Sequence, residues 1–146
     1  MKFWAISTFL LLAALALPSI AAAESPNDII VIANSSVQAD GITKDELRDI
    51  FLKKRTSWGN SGNVKPINAS DGSDLREQFC EEVLQMTPEE EKRYFQEEKI
   101  KNGLTAPNSF SNTQKAVFKL RGSVSYVYRS DFKEGVAKVL LVIPAG

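Results

Sequence analysis

The sequence predicts a layered α/β domain, and three observations predict it. Residues 28–33 read Asp-Ile-Ile-Val-Ile-Ala, a continuous β-branched run. Such a run suits a strand covered on both faces, as in a parallel sheet with helices on either side. Helix starts with reciprocal capping chemistry then recur at Thr43/Glu46, Thr87/Glu90 and Ser111/Gln114. Finally, residues 124–128 alternate as a strand does, and a second apolar run, 136–143, is stopped by Pro144. The resulting order is strand, helix, strand, three helices, strand, strand, without an internal repeat.

Residues 1–23 read as a cleaved signal peptide. Lys2 gives a weakly positive start, residues 9–17 form an apolar core, and Pro18 follows. Ala21-Ala22-Ala23 fits the small-x-small cleavage rule, which places the cut after Ala23. The apolar run is shorter than the roughly 20 residues of a membrane span. A retained anchor is the alternative reading. Removing 23 of 146 residues leaves 123, residues 24–146, which is one domain with one core.

Composition excludes several functions. Without Lys2, the remaining chain carries 17 basic and 18 acidic residues, so no basic surplus points to nucleic acid or an anionic membrane. With no His and one Cys, His-ligated and Cys-cluster metal sites are excluded, as are a His general base and a Ser-His-Asp triad. Cys80 has no internal disulfide partner and reads as a partly buried free thiol.

In chain order, the first strand ends at the polar loop Asn34-Ser35-Ser36. Thr43 caps a helix carrying Leu47, Ile50 and Phe51, with Ile42 and Leu47 as a hydrophobic staple. Lys53, Lys54 and Arg55 lie at its C-terminal end, where the helix dipole favours cations; a binding role is the other reading. Trp58 either covers a core edge or faces a ligand cleft. Residues 64–68 form the second strand, with Pro66 suggesting an edge or irregular start. A helix with Leu75, Phe79, Val83 and Met86 on one face follows. The next, opened by Thr87 and Pro88, is dense in Glu and Lys and reads as a solvated face with an apolar edge at Tyr94 and Phe95. The last helix begins at Ser111 and ends at Arg121-Gly122-Ser123, with Gly122 as a left-handed C-cap.

The turn between the second strand and its helix is the candidate site. Asp71-Gly72 supplies a sharp bend, since glycine takes positive φ without a Cβ clash. Ser70, Asp71, Ser73 and Asp74 are all competent N-caps. A turn of this kind aims backbone N–H groups at one spot suited to a small anion; the alternative is an ordinary helix start.

Four stretches stand out: the opening strand with Asn34; residues 47–55 (Leu-Arg-Asp-Ile-Phe-Leu-Lys-Lys-Arg) with Trp58; Ala69-Ser70-Asp71-Gly72-Ser73 leading to Arg76-Glu77-Gln78-Phe79; and residues 122–127 (Gly-Ser-Val-Ser-Tyr-Val). In this order they resemble the small, single-lobe relatives of the phosphate-binding periplasmic proteins of ABC uptake systems. The resemblance implies a type II periplasmic-binding-protein fold, a mixed sheet flanked by helices. It also implies a small-oxyanion ligand, phosphate foremost, with Asp71 as carboxylate, Ser73 as hydroxyl donor and amides from Ser70 to Ser73. By the rule that α/β ligands sit beyond strand carboxyl ends, Asn34, Ser35 and Ser36 are expected beside the same crevice. The departures are Ala69 where the family has Arg, and Asp74-Leu75 where it has Gly-Thr. Arg76 is the candidate compensating cation. About 123 residues supply one lobe of the two that close on phosphate.

Two functions follow. One is an exported, non-catalytic solute-binding or sensing domain for a small oxyanion, associated with an ABC-type membrane permease. The other is an interaction module on the same fold that has lost the ligand and contacts another envelope protein. An Asp71/Asp74/Glu77 acid pair and a Ca²⁺ site are weaker readings, because acids at a helix start usually complement its dipole and the EF-hand glycine and terminal glutamate are missing. No cofactor is expected.

Overall fold

The computed structural model describes residues 23–146. The expected signal peptide thus lies outside the described residues, apart from Ala23. The strands and α-helices of the described residues are β1 (Ile29–Ala33), α1 (Lys44–Phe51), β2 (Lys65–Ala69), α2 (Asp74–Phe79), α3 (Pro88–Asn102), β3 (Asn108–Phe110), α4 (Thr113–Lys119), β4 (Ser123–Tyr128) and β5 (Lys138–Ile143), with a π-helical turn, Cys80–Leu84, continuing α2. They build one five-stranded mixed sheet, ordered β3-β2-β4-β1-β5. β2 runs parallel to both β3 and β4, while β1 lies antiparallel to both β4 and β5.

β1 corrects one expectation. All five of its residues are buried, as the continuous β-branched run implies, but it runs against both neighbours. An apolar run reports that both faces are covered; it carries no information on strand direction. The alternation of β1 divides its side chains between two cores. Ile29, Val31 and Ala33 join Leu47, Ile50, Phe51, Phe79 and Tyr126. Ile30 and Ile32 join Ile67, Ala116, Val117 and Val127 under α4. The larger core centres on an aromatic stack, with Phe79 face to face with Tyr126 at 3.7 Å and Phe51 edge-on to Phe79 at 4.7 Å.

The helix starts at Thr43 and Thr87 form reciprocal capping boxes, with Glu46 and Glu90 respectively. The third start is displaced by one residue. Asn112, not Ser111, caps α4 by accepting from the Lys115 amide, and the Gln114 carboxamide instead bonds Asp131 and Lys133. The second strand is interior rather than an edge. Pro66 is tolerated because the Lys65 amide points to β4, so the proline nitrogen faces the other side, where β3 begins only opposite Ile67. β3 has no counterpart in the sequence reading, since Asn-Ser-Phe is short and reads as loop.

Gly122 does not cap α4, which ends in extended backbone at Leu120. It occupies a left-handed position (φ 76°) in the turn into β4 and ties three segments together. Its amide donates to Ser36 Oγ, and its carbonyl accepts from the Lys65 amide and from Trp58 Nε1 at 2.8 Å. Trp58 is buried against this junction, which makes it a core-edge residue. A Cβ at Gly122 would lie 2.5 Å from the Asn63 carbonyl oxygen, whereas one at Gly72 meets nothing within 4 Å. Gly72→Ala is therefore expected to cost only the left-handed backbone penalty, about 1–2 kcal/mol. Gly122→Ala adds a backbone clash of about 1–3 kcal/mol. Urea denaturation of the two variants checks this, and equal losses would contradict it.

Candidate functional site

The sheet delivers β2 to the turn at residues 70–73. Gly72 takes the positive φ (76°) that the bend requires. Ser73 caps α2, its hydroxyl accepting from the Arg76 amide at 3.2 Å and donating to the Ser70 carbonyl at 2.7 Å. Both hydrogen-bonding functions of that hydroxyl are thus engaged inside the protein. Asp71 stands exposed at the rim. A cleft of about 390 Å³ opens here, lined by Asp71, Gly72 and Arg76 on one side and by Pro88, Glu89, Glu91, Lys92 and Phe95 of α3 on the other, with Ala106.

Arg76 is buried beneath the turn rather than projecting from the helix. One guanidinium nitrogen lies 2.7 Å from Glu91 Oε1; the other donates to the Ala69 carbonyl at 3.2 Å and lies 3.5 Å from Asp71. With its carboxamide oxygen turned toward the guanidinium, Asn68 accepts from both nitrogens at 3.1 and 3.2 Å and donates to the Tyr126 hydroxyl. That hydroxyl also accepts from the Ala69 amide. Arg76 Nε is buried without a partner among the described residues. Burial works against the Arg76 charge, yet Tyr126 and Glu91 outweigh it and raise the pKa. The second Glu91 oxygen accepts from the Cys80 thiol at 2.6 Å. Glu91 therefore joins the cation to the lone cysteine, and the polar groups under the turn form one network.

Cys80 is buried and free. Burial, then the bond to Glu91, push its thiol pKa from 9.0 up to about 12. Because the folded state holds the proton more tightly than the unfolded chain, this contribution to stability is full below about pH 9 and is lost between about 9 and 12. The urea midpoint of a Cys80→Ala variant should fall less over that window than that of the wild type; parallel profiles would contradict the assignment. Native Cys80 should also resist maleimide near pH 8 until denaturant is added, since the thiolate is the reactive form.

The structure brings Ser70, Asp71, Gly72, Ser73 and Arg76 together and separates them from Asn34, Ser35 and Ser36. Because β1 opposes β2, Ala33 pairs with Val124, the partner of Pro66 near the start of β2, while the turn follows the end of β2. At about 3.3 Å per residue, a strand length of roughly 15 Å divides the two groups. The crevice rule assumed a parallel first strand. At the far end, Asn34 donates to the Val117 and Phe118 carbonyls at 2.7 and 3.1 Å and closes the C-terminus of α4. Ser36 accepts from the Gly122 amide, and Ser35 is exposed. Lys53 lines a neighbouring cleft, and Arg55 lies 3.6 Å from Glu46.

Sequence reasoning missed Asn68, Cys80, Glu91 and Tyr126 as members of this network. For Glu91 a signal existed. It precedes Phe95 by four residues, which places it on the buried edge of α3 rather than on the solvated face of the run Glu89-Glu90-Glu91.

The network neutralises its own cation. At an effective dielectric of 20, an isolated arginine attracts a unit negative charge 4 Å away by about 4 kcal/mol. Glu91 and Asp71, both within 3.5 Å of the guanidinium, oppose that attraction at comparable range.

No family model and no curated protein matches the sequence. Solved structures do match its fold. A Clostridium perfringens protein described as a phosphate ABC transporter substrate-binding protein, with bound phosphate, superposes with a TM-score of 0.60 at 18% identity, over 79% of this chain and 45% of its own. An ABC-type phosphate transport receptor from Vibrio cholerae gives 0.58 at 11% identity, covering 80% of this chain and 47% of its own. PstS from Borrelia burgdorferi gives 0.56 at 13% identity, covering 79% and 50%. This chain spans about half the length of each. The expected resemblance therefore holds at the level of fold: residues 23–146 have an α/β fold like that of one lobe of a periplasmic binding protein.

Proposed function

We propose that this chain is an exported, non-catalytic envelope module that uses the solute-binding fold for protein–protein interaction, the buried cation under its turn being paired internally with Glu91. The observation that carries this reading is the 2.7 Å Arg76–Glu91 pair beneath the turn. The cleft's one deep cation is already matched, and the Ser73 hydroxyl is committed to the Ser70 carbonyl. An incoming oxyanion would have to displace a buried ion pair and meet Asp71 and Glu89. The apolar N-terminal run supports export, and residues 24–146 form the exported domain.

A second reading, small-oxyanion binding at the 70–73 turn in the service of a permease, is favoured by two observations. A structure with bound phosphate matches this fold, and the turn opens on a cleft. Thermal unfolding in the presence of phosphate, sulfate and acetate separates the two. The interaction reading predicts an unchanged Tm up to millimolar ligand. A specific, saturable rise with phosphate overturns it and supports the second reading.

A further inference from the structure

The neutral charge total conceals a segregation along the chain. Residues 50–70 and 99–130 contain no Asp or Glu, yet they hold ten of the 18 Lys and Arg residues. Five of these ten, Lys53, Lys65, Lys115, Lys119 and Arg121, lie around β2, β3, α4 and the turn into β4. Three adjoining clefts result. One, of about 490 Å³, lies between Phe110 and α4 and is bordered by Lys115, Lys119 and Leu120. A second shares Phe110 and Leu120 and adds Lys65; a third shares Lys65 and adds Arg121. No carboxylate lines any of the three, in contrast to the turn cleft with its Asp71, Glu89 and Glu91. Among the described residues, Lys65, Lys115, Lys119 and Arg121 have no carboxylate partner. Phe110 is 40% exposed and Leu120 37%, so apolar surface lies beside these unpaired cations in the same clefts.

We propose that this face docks an extended acidic segment of a partner protein, with an apolar side chain of that segment seated between Phe110 and Leu120. The inference rests on the interaction-module reading and names the chemistry of its partner. Charge complementarity selects the acid. A carboxylate-rich segment desolvates less unfavourably against four unpaired cations than against a mixed surface, and such fields also speed encounter. The shape selects an extended chain. β3 is an end strand whose three residues are all exposed, so its outer edge is open to pairing with a further strand. A second copy of this chain fits less well, because its carboxylates are engaged or interspersed with cations. Glu46 and Glu90 close capping boxes, Glu91 is buried, and α3 mixes its glutamates with Lys92, Arg93, Lys99 and Lys101. Phe110 and Leu120 line clefts, which suit a side chain better than a flat lipid surface.

The test is an NMR titration of isotope-labelled protein with a synthetic glutamate-rich peptide carrying one central phenylalanine. The same peptide with lysine for glutamate, and phosphatidylglycerol vesicles, run beside it. The expected result is saturable shifts of the Phe110, Lys115 and Lys119 amides. Affinity should fall about tenfold in the exposed double variant Lys115→Glu/Lys119→Glu and fall with added salt, while Lys92→Glu on α3 leaves it unchanged. The proposal is overturned by an absence of saturable shifts, by shifts centred on α3, by equal binding of the lysine peptide, or by binding of vesicles without binding of the acidic peptide. Failure here removes this face and leaves the Arg76–Glu91 pairing at the turn standing. A phosphate-induced rise in Tm, measured separately, is what removes the interaction-module reading.

Discussion

Replacing Arg76 with alanine is expected to destabilise the fold by about 3–5 kcal/mol, because it strands Glu91 as an uncompensated buried charge. Glu91 cannot recover that loss by turning to water, since its side chain is only 4% exposed. The substitution also removes donors to the Ala69 carbonyl and to Asn68, at the junction where β2 hands over to the turn. Arg76→Met/Glu91→Leu replaces the pair with apolar groups of similar length and is expected to regain most of the loss. Buried pairs often break even against such replacements. Chemical denaturation of the single and double variants checks both statements. A loss below about 1 kcal/mol for Arg76→Ala, the range of an exposed pair, would mean that this arginine is solvated in solution and free to meet a ligand.

The second large effect is expected at Phe79. Phe79→Ala should cost about 3–5 kcal/mol, the usual range for removing a buried aromatic side chain. Phe79 is fully buried, stacks on Tyr126 at 3.7 Å and meets Phe51 edge-on, so its removal leaves two rings facing a void. The loss extends beyond the core. Tyr126 carries the hydroxyl that bonds the Ala69 amide just before the turn. A Tyr126 released from its stack should loosen residues 69–73, and amide exchange there should accelerate in Phe79→Ala. A loss confined to global stability, with no local change at the turn, would break this link between core and site.

How far the sequence foretold these features depends on the range of the interaction. The boxes at Thr43 and Thr87 were legible because both partners lie within one helical turn. The box at Ser111 was not, since the Gln114 carboxamide finds partners near Asp131, across the fold. The buried character of β1 was legible in its β-branched run. Its direction was not, because pairing partners lie some hundred residues downstream, and that reversal moved Asn34 and Ser36 away from the turn. The bend at Asp71-Gly72 was legible from glycine chemistry, but the fate of Arg76 was decided by Glu91, fifteen residues on and hidden in a run of three glutamates. The basic face was present in the sequence as two long stretches free of acid. Summing charge over the whole chain erased it.

The pairing of Arg76 with Glu91 decides whether this turn is a binding site or a piece of scaffold. A crystal structure from crystals grown in phosphate addresses it directly. Arg76 is expected to remain bonded to Glu91 and Ser73 to the Ser70 carbonyl, with no tetrahedral density at residues 70–73. Tetrahedral density held by the amides of Gly72 and Ser73, with Arg76 swung from Glu91 toward it, would make the turn a binding site.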